Sequence, residues 1–300
     1  MTATTLAPTQ PPAVVRATTG ATGPTNKRST LSTVVLLVGA AYCLLPVAWV
    51  LIASSKSASE LFTTFTFTPS THLWENIQEL SAYRGGLFWR WMANTALYAV
   101  VGAFASVIVS AMAGFGLAKF NFVGKKAIFN IILAGVLVPG VVLAIPQYLL
   151  LAQVGLTNTY WSVLLPSIIS PYGIYLARIY AAASVPDELL ESARLDGAGE
   201  FRAFFTISSR LMAPALVTIF LFQFVTIWNN YLLPLVMLQN TKLYPVTLGL
   251  ATWNSQKAIA GNLQLYVVVG ALLSIIPLMI AFLALQRFWQ SGLSEGGVKS

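Results

Sequence analysis

The sequence predicts an all-α integral membrane protein with six transmembrane helices and both termini on the cytoplasmic side. Three observations predict it. Only 17 Lys+Arg and 9 Asp+Glu occur in 300 residues. That is 9% charged, against about 25% in soluble domains. Hydrophobic residues make up 57% of the chain. The few charges also divide the chain into uncharged runs long enough to cross a bilayer, which takes about 20 mostly apolar residues. A soluble globular domain, a disordered chain, a collagen-like chain and a disulfide-rich secreted scaffold are excluded on the same numbers. The one cysteine, Cys43, cannot form an internal disulfide, and the one histidine, His72, cannot build a histidine-based metal site.

The elements follow in order. Residues 1–30 are rich in Thr, Ala and Pro and read as a disordered cytoplasmic tail. Thr30 to Ser55 is the first uncharged run, too long and uniform for a signal-peptide core. Trp91 to Ala118 is the second. The third, Ala127 to Ala177, is 51 residues long and suits two helices linked at Gln153 to Thr159, where Gly155, Thr157, Asn158 and Thr159 interrupt the apolar pattern. Leu211 to Thr241 and Ala258 to Gln286 complete the set. The expected helices lie near 31–53, 91–117, 128–151, 160–180, 211–237 and 264–286, within a transmembrane domain over 31–290 followed by a cytoplasmic tail over 291–300.

Basic residues set the orientation. Arg16, Lys27 and Arg28, then Lys119, Lys125 and Lys126, then Arg178, Arg194, Arg202 and Arg210, then Arg287 and Lys299 fall on one side. Lys56, Arg84, Arg90, Lys242 and Lys257 fall on the other. The richer side is cytoplasmic. The net charge of +8 is therefore a topology signal, and no nucleic-acid partner is implied. Pro46, Pro139, Pro146, Pro166, Pro171, Pro214, Pro234 and Pro277 lie in or beside the spans. They are open to two readings, kinks that serve packing or parts of a moving pathway.

Acidic residues are unevenly placed. Asp187, Glu188, Glu191, Asp196 and Glu200 fall in the loop 182–210 between the fourth and fifth spans. The sequence there reads as two short helices. Ser184 caps the first with Asp187 at the capping-box position; Leu189, Leu190 and Ala193 form its apolar stripe; Glu191 pairs with Arg194; Gly197 stops it. Phe201, Phe204 and Phe205 then share one aromatic face. Such a structure either folds back on its own bundle or docks into a cytoplasmic partner, and docking is preferred.

Glu191-Ser192-Ala193-Arg194-Leu195-Asp196-Gly197-Ala198-Gly199-Glu200-Phe201, with Pro214 beyond, closely resembles the EAA loop of ABC-importer permeases. The resemblance continues through Phe115 to Lys126, Val138-Pro139-Gly140, Ile145-Pro146, Asn158 to Tyr175, Trp228-Asn229-Asn230-Tyr231, Leu233-Pro234-Leu235, and Gln286 to Lys299. By this ordered set the chain resembles the MalG-like permease subunit of binding-protein-dependent carbohydrate ABC importers, over roughly residues 30 to 300. Ser192 replaces the usual second alanine. Arg210 stands where the family often has the first of two prolines, so the start of the fifth helix departs from the pattern.

The resemblance implies the type I importer architecture in a bacterial or archaeal cytoplasmic membrane. It also implies a second homologous permease as heterodimer partner, a dimeric ABC ATPase and an extracytoplasmic sugar-binding protein. The chain is then no enzyme: Gly124-Lys125-Lys126 lacks the upstream glycine and the hydroxyl residue of a phosphate-binding loop. ATP and Mg belong to the partner ATPase, with no cofactor in this chain. Glu191, Ser192, Ala193, Asp196, Gly197, Ala198, Phe201, Phe204 and Phe205 form the docking loop in that reading. Asn94, Gln147, Gln223, Trp228, Asn229 and Tyr231, with Ser110, Asn230 and Ser274, are candidates for the substrate pathway. Each has a plainer reading as helix–helix glue or interfacial anchor. A proton-coupled carrier is disfavoured because the spans hold no carboxylate or histidine. An ion channel would want a filter or charged ring, and a non-transporting scaffold leaves the structured loop unexplained. An ABC permease for a polyol or glycerol phosphate is the nearest alternative.

Overall fold

The computed structural model describes residues 30–256 and 263–296, with side chains as far as 286. The described residues are helical, with no strand among them. The chain divides into two units, Met1–Pro46 and Val47–Ser300. The described part of the first is the start of α1 (Thr30–Ser54), an apolar helix with Pro46 inside it and Leu31, Leu36 and Leu45 exposed.

In the second unit, α2 (Glu60–Thr63) and α3 (Leu73–Ala82) form a small folded segment before the next span. Asn76 ties it to the end of α1 by donating to the carbonyls of Ser54 and Lys56. Lys56 is buried and donates to the Phe65 carbonyl at 2.7 Å. A turn at Arg84, Gly85 and Gly86, all with positive φ, leads into α4 (Leu87–Lys119). This helix has 33 residues and no internal proline. It is the central strut, packing along two later helices, α8 (Pro171–Ser184) and α12 (Ala213–Trp228). Gly114 makes its contact with α8 possible: a Cβ there would fall 2.5 Å from the Ala177 Cβ and 2.6 Å from the Arg178 nitrogen.

The expected third span, 128–151, is two helices, α5 (Lys125–Leu137) and α6 (Gly140–Gln153), bent by 108°. Pro139 causes the break. It has no N–H to continue the ladder and pushes the preceding Val138 into extended backbone (ψ 119). The fourth span, expected over 160–180, is likewise α7 (Tyr160–Ile168) and α8 (Pro171–Ser184). Pro171 opens α8, and the Ser170 hydroxyl caps it by accepting from the Gly173 N–H at 3.1 Å.

The loop after α8 holds α9 (Asp187–Leu195), α10 (Glu200–Ala203), one π-helical turn (Phe204–Ser208) and α11 (Ser209–Leu211). The expected fifth span, 211–237, starts after an 82° bend at Met212. It is α12 (Ala213–Trp228) and α13 (Leu232–Met237), separated at Asn229–Tyr231. Pro214 lies in the first turn of α12, where its missing N–H costs no helical bond. A further helix that the sequence reading lacked, α14 (Val246–Ser255), precedes α15 (Leu263–Gly296). α15 runs ten residues past its expected end at 286 and into the segment read as a tail. The rest of the expected tails, residues 1–29 and 297–300, lies outside the described residues. Among the described residues, four helical segments, Thr30–Ser54, Leu87–Lys119, Tyr160–Ser184 (α7 with α8) and Leu263–Gln286, are long and apolar enough to cross a membrane, or up to six if each bent pair counts as one span.

Two cores hold the second unit together. One gathers around Trp91, Tyr98, Phe224, Trp228 and Trp253. The other sits at the loop end, around Phe115, Ala177, Leu190, Phe204 and Met212. α4 contributes to both.

Candidate functional site

Two places carry unusual chemistry. The first is the loop. α9 begins with Asp187 and Glu188 in its first turn, where carboxylates complement the helix dipole. The expected Ser184 cap does not form. Ser184 ends α8, Val185 and Pro186 are extended, and Pro186 takes the cap position. The expected Glu191–Arg194 pair also gives way. Arg194 reaches across the turn to Glu200, with Nε donating to Oε1 at 2.7 Å and Nη2 to Oε2 at 3.3 Å. That hydrogen bond raises the Arg194 pKa, and the carboxylates of Glu200, Glu191 and Asp187 add to it. A two-pronged contact across the turn outcompetes a single contact along one helix face. Gly197 sits inside this clamp at φ +79, a left-handed conformation that side chains resist.

The three phenylalanines do not act as one face. Phe204 is 5% exposed and packs on Phe115, ring centroids 5.2 Å apart. Phe201 and Phe205 are 70% and 54% exposed. The π turn from Phe204 widens the helix and breaks the i, i+3, i+4 register on which the expectation rested. In the same way Leu190 and Ala193 point inward while Leu189 is exposed, as is Leu195 at 90%. The loop therefore does both things the sequence left open. It folds onto its own bundle through Leu190, Ala193 and Phe204, and it presents Leu195, Phe201 and Phe205 beside the exposed Glu191 and Asp196.

The second place is an open cavity of about 620 Å³. It lies where the three helix breaks meet, lined by Val138 and Gly140, by Ile169 to Tyr172, and by Asn229 to Leu233. Gln147, Ser167, Gln223 and Thr226 add polar groups, and among the described residues no charged one lines it. Gln223 also repairs one break. The Ser167 carbonyl would ordinarily bond the N–H four residues on, but that residue is Pro171. Gln223 Nε2 donates to it instead, at 2.9 Å.

The pathway candidates thus separate. Gln147, Gln223, Asn229, Asn230 and Tyr231 share the cavity. Trp228 does not: it is 4% exposed, its ring packed on Phe224 in the core. Asn94 is buried and bonded to the carbonyls of Lys242 and Tyr244 and to the Tyr160 hydroxyl. Ser110 is buried against α8, and Ser274 bonds its own helix. The sequence reading missed the ion pair between Lys119 Nζ and Asp187 Oδ1 at 2.8 Å. It also missed the cavity residues Ser167, Ser170, Tyr172 and Thr226, although Ser170-Pro171 was a legible break signal. Among the described residues no His, Cys, Asp or Glu group is placed to hold a metal ion.

Residues 106–295 match the family described as binding-protein-dependent transport system inner membrane component. The chain is 32% identical to the arabinooligosaccharides transport system permease protein AraQ of Halalkalibacterium halodurans, over 91% of this chain and 99% of that protein. It is 31% identical to the lactose transport system permease protein LacG of Rhizobium radiobacter, over 88% and 94%. It is 29% identical to the sn-glycerol-3-phosphate transport system permease protein UgpE of Brucella abortus, over 87% and 94%. In fold it is similar to a chain in the crystal structure of a bacterial ABC transporter involved in the import of the acidic polysaccharide alginate. That likeness has a TM-score of 0.76 at 24% identity and covers 89% of this chain and 98% of that one. With its broken spans and its acidic loop, the chain belongs to the inner membrane component family of binding-protein-dependent transport systems.

Proposed function

We propose that this chain is the permease subunit of an ABC importer that moves an uncharged sugar or oligosaccharide inward, driven by ATP hydrolysis in a separate subunit docked on the 182–210 loop. The observation that carries the solute class is the cavity. Three broken spans open it, and its polar lining is made of amides and hydroxyls without a charge. Discontinuous helices expose backbone polar groups at membrane depth only where these are buried in protein or line a water-filled cavity, and transporter substrate sites are commonly built from such breaks. Amides, hydroxyls and the rings of Tyr172 and Tyr231 suit sugar hydroxyls and sugar faces. A glycerol phosphate or a uronate calls for an arginine or lysine partner, which this lining lacks. The relatives named for arabinooligosaccharides and lactose support the same reading.

The cavity is open, as suits a second, homologous permease that completes it. The loop lies on the face that the basic residues assign to the cytoplasm. There Leu195, Phe201 and Phe205 offer apolar area to an ABC ATPase, which carries the ATP and Mg. Glu191 and Asp196 offer charge-assisted contacts. An extracytoplasmic binding protein delivers the sugar, and the assembly sits in the cytoplasmic membrane of a bacterium or archaeon. When the ATPase dimer closes, it moves the loop and reorients the helices. The test is ATP-driven uptake in proteoliposomes holding the whole importer, with competition by neutral oligosaccharides against glycerol 3-phosphate and uronates. Neutral sugars compete if the reading holds; competition by the anions alone overturns it.

A further inference from the structure

The loop joins α8 and α12 covalently, and the chain changes direction at both joins. Val185 and Pro186 are extended on one side, and the chain bends by 82° at Met212 on the other. The helical ladder of both spans is also interrupted, at Ile169–Ser170 and at Asn229–Tyr231. A displacement entering α8 or α12 meets an interruption of the helical ladder before it reaches the far side.

α4 has no such joint. It is continuous from Leu87 to Lys119, without proline, and about 50 Å long at 1.5 Å per residue. At its loop end it holds the loop twice. Lys119, 7% exposed, pairs with Asp187 at the start of α9, and Phe115 packs on Phe204 in the π turn. At its other end it grips one short stretch of chain. Trp91 Nε1 donates to the Thr241 carbonyl at 2.7 Å, and Arg90 Nε and Asn94 Nδ2 donate to that of Lys242 at 3.0 and 2.9 Å. The Tyr98 hydroxyl donates to the Leu243 carbonyl at 2.9 Å, and Asn94 donates again to that of Tyr244 at 3.0 Å. The Thr95 hydroxyl accepts from the Val246 N–H at 2.7 Å. Four consecutive carbonyls and the first N–H of α14 are thus held by one face of α4. The next residues of that stretch pack on the same helix, with the Trp253 and Trp91 rings 4.5 Å apart.

We propose that α4 is the strut that carries movement of the docking loop across the membrane to the 241–246 segment, and that Lys119 is the positioning residue that latches the loop to it. This rests on the loop docking an ATPase, as proposed above. A lysine with a covered side chain at the end of an unbroken helix, holding an exposed aspartate on the loop, gives the loop a firm attachment between its two joins. Bonds to backbone carbonyls at the other end turn a shift of the helix into a shift of the main chain on the far face.

The experiment uses the complete importer, with Cys43→Ser to remove the native thiol and Lys242→Cys as a reporter on the exposed side chain of the gripped segment. The rate of maleimide labelling is followed with and without a non-hydrolysable ATP analogue, and ATPase co-purification is measured for every variant. The expected response to the analogue is a change of about fivefold in labelling rate. Lys119→Met and Asp187→Asn each reduce it to less than about twofold, their combination is no worse than either, and Lys119→Arg keeps it. Asp187→Asn changes an exposed side chain, so it tests the latch even where Lys119→Met fails to assemble. Tyr98→Phe, which removes one bond at the far grip, weakens the response. Absence of any response in the parent, or a full response in Lys119→Met or Asp187→Asn, overturns the strut. If the ATPase instead stays bound in Gly197→Pro, the docking reading falls, whatever the labelling shows.

Discussion

The loop and the cavity are both made by interrupting helices, yet they use opposite chemistries. The loop collects Asp187, Glu188, Glu191, Asp196 and Glu200 beside exposed apolar side chains. The cavity has amides and hydroxyls and no charge. The difference follows from the surrounding medium. At membrane depth an ionised group is expensive, so polarity there comes from neutral groups that also satisfy the broken backbone, as Gln223 does for Ser167. At the membrane surface a carboxylate is solvated, and a partner can use it for contact and register. The two regions also differ in how they are held. The loop is clamped by ion pairs, Arg194 with Glu200 and Lys119 with Asp187. The breaks are fixed by prolines, by the Ser170 cap and by neutral amides.

The strongest way to break this comparison is at Gly197. Proline cannot adopt φ +79, so Gly197→Pro should reduce ATP-driven uptake by about 100-fold or more and release the ATPase on purification, while the protein remains in the membrane. Gly197→Ala, strained by about 1 kcal/mol, should lose only part. Phe204→Ala and Phe201→Ala come next. Truncating buried Phe204 should cost about 3–4 kcal/mol of stability, read as a lower unfolding temperature. Truncating exposed Phe201 should change stability by less than about 0.5 kcal/mol and weaken ATPase association instead. Exchanging the chemistries sharpens the contrast further. Gln223→Glu puts a carboxylate into the neutral cavity and should lower sugar uptake by about tenfold, whereas Glu188→Gln in the loop should change it by less than about twofold. The smallest effect is expected at Trp228. Its ring is buried away from the cavity, so Trp228→Phe should leave any sugar-dependent change in tryptophan fluorescence in place.

The fold was legible because charge placement and hydropathy report membrane crossing directly. The length of each run located the spans, and Asn158, which takes positive φ and accepts from the Gln239 and Asn240 N–H groups, lay in the predicted link. Run length does not report continuity, and the breaks at Pro139 and Pro171 fell inside stretches read as single helices. Both prolines and the residue before each were visible, but a proline within an apolar run fits a kink as well as a break. Position in the loop was legible from its acids and Gly197. The inward turn of Phe204 was not, because it depends on a π turn and on Phe115, which is far away in sequence. The division of the polar candidates was illegible for a similar reason. Asn94 and Gln223 look alike in an apolar run, and only the fold places one against the 242–244 carbonyls and the other beside the cavity.

The exposed apolar side of the loop is the side proposed to meet an ATPase. This is tested most directly by cross-linking. In a Cys43→Ser background, Phe201→Cys is treated with a short bifunctional maleimide in the assembled importer. The account predicts one cross-linked product joining this chain to the ATPase subunit, lost in Gly197→Pro and absent when the cysteine is placed instead at the buried Phe204 position. A Phe201→Cys chain that cross-links only to the second permease, or to nothing while the ATPase remains bound, would contradict it.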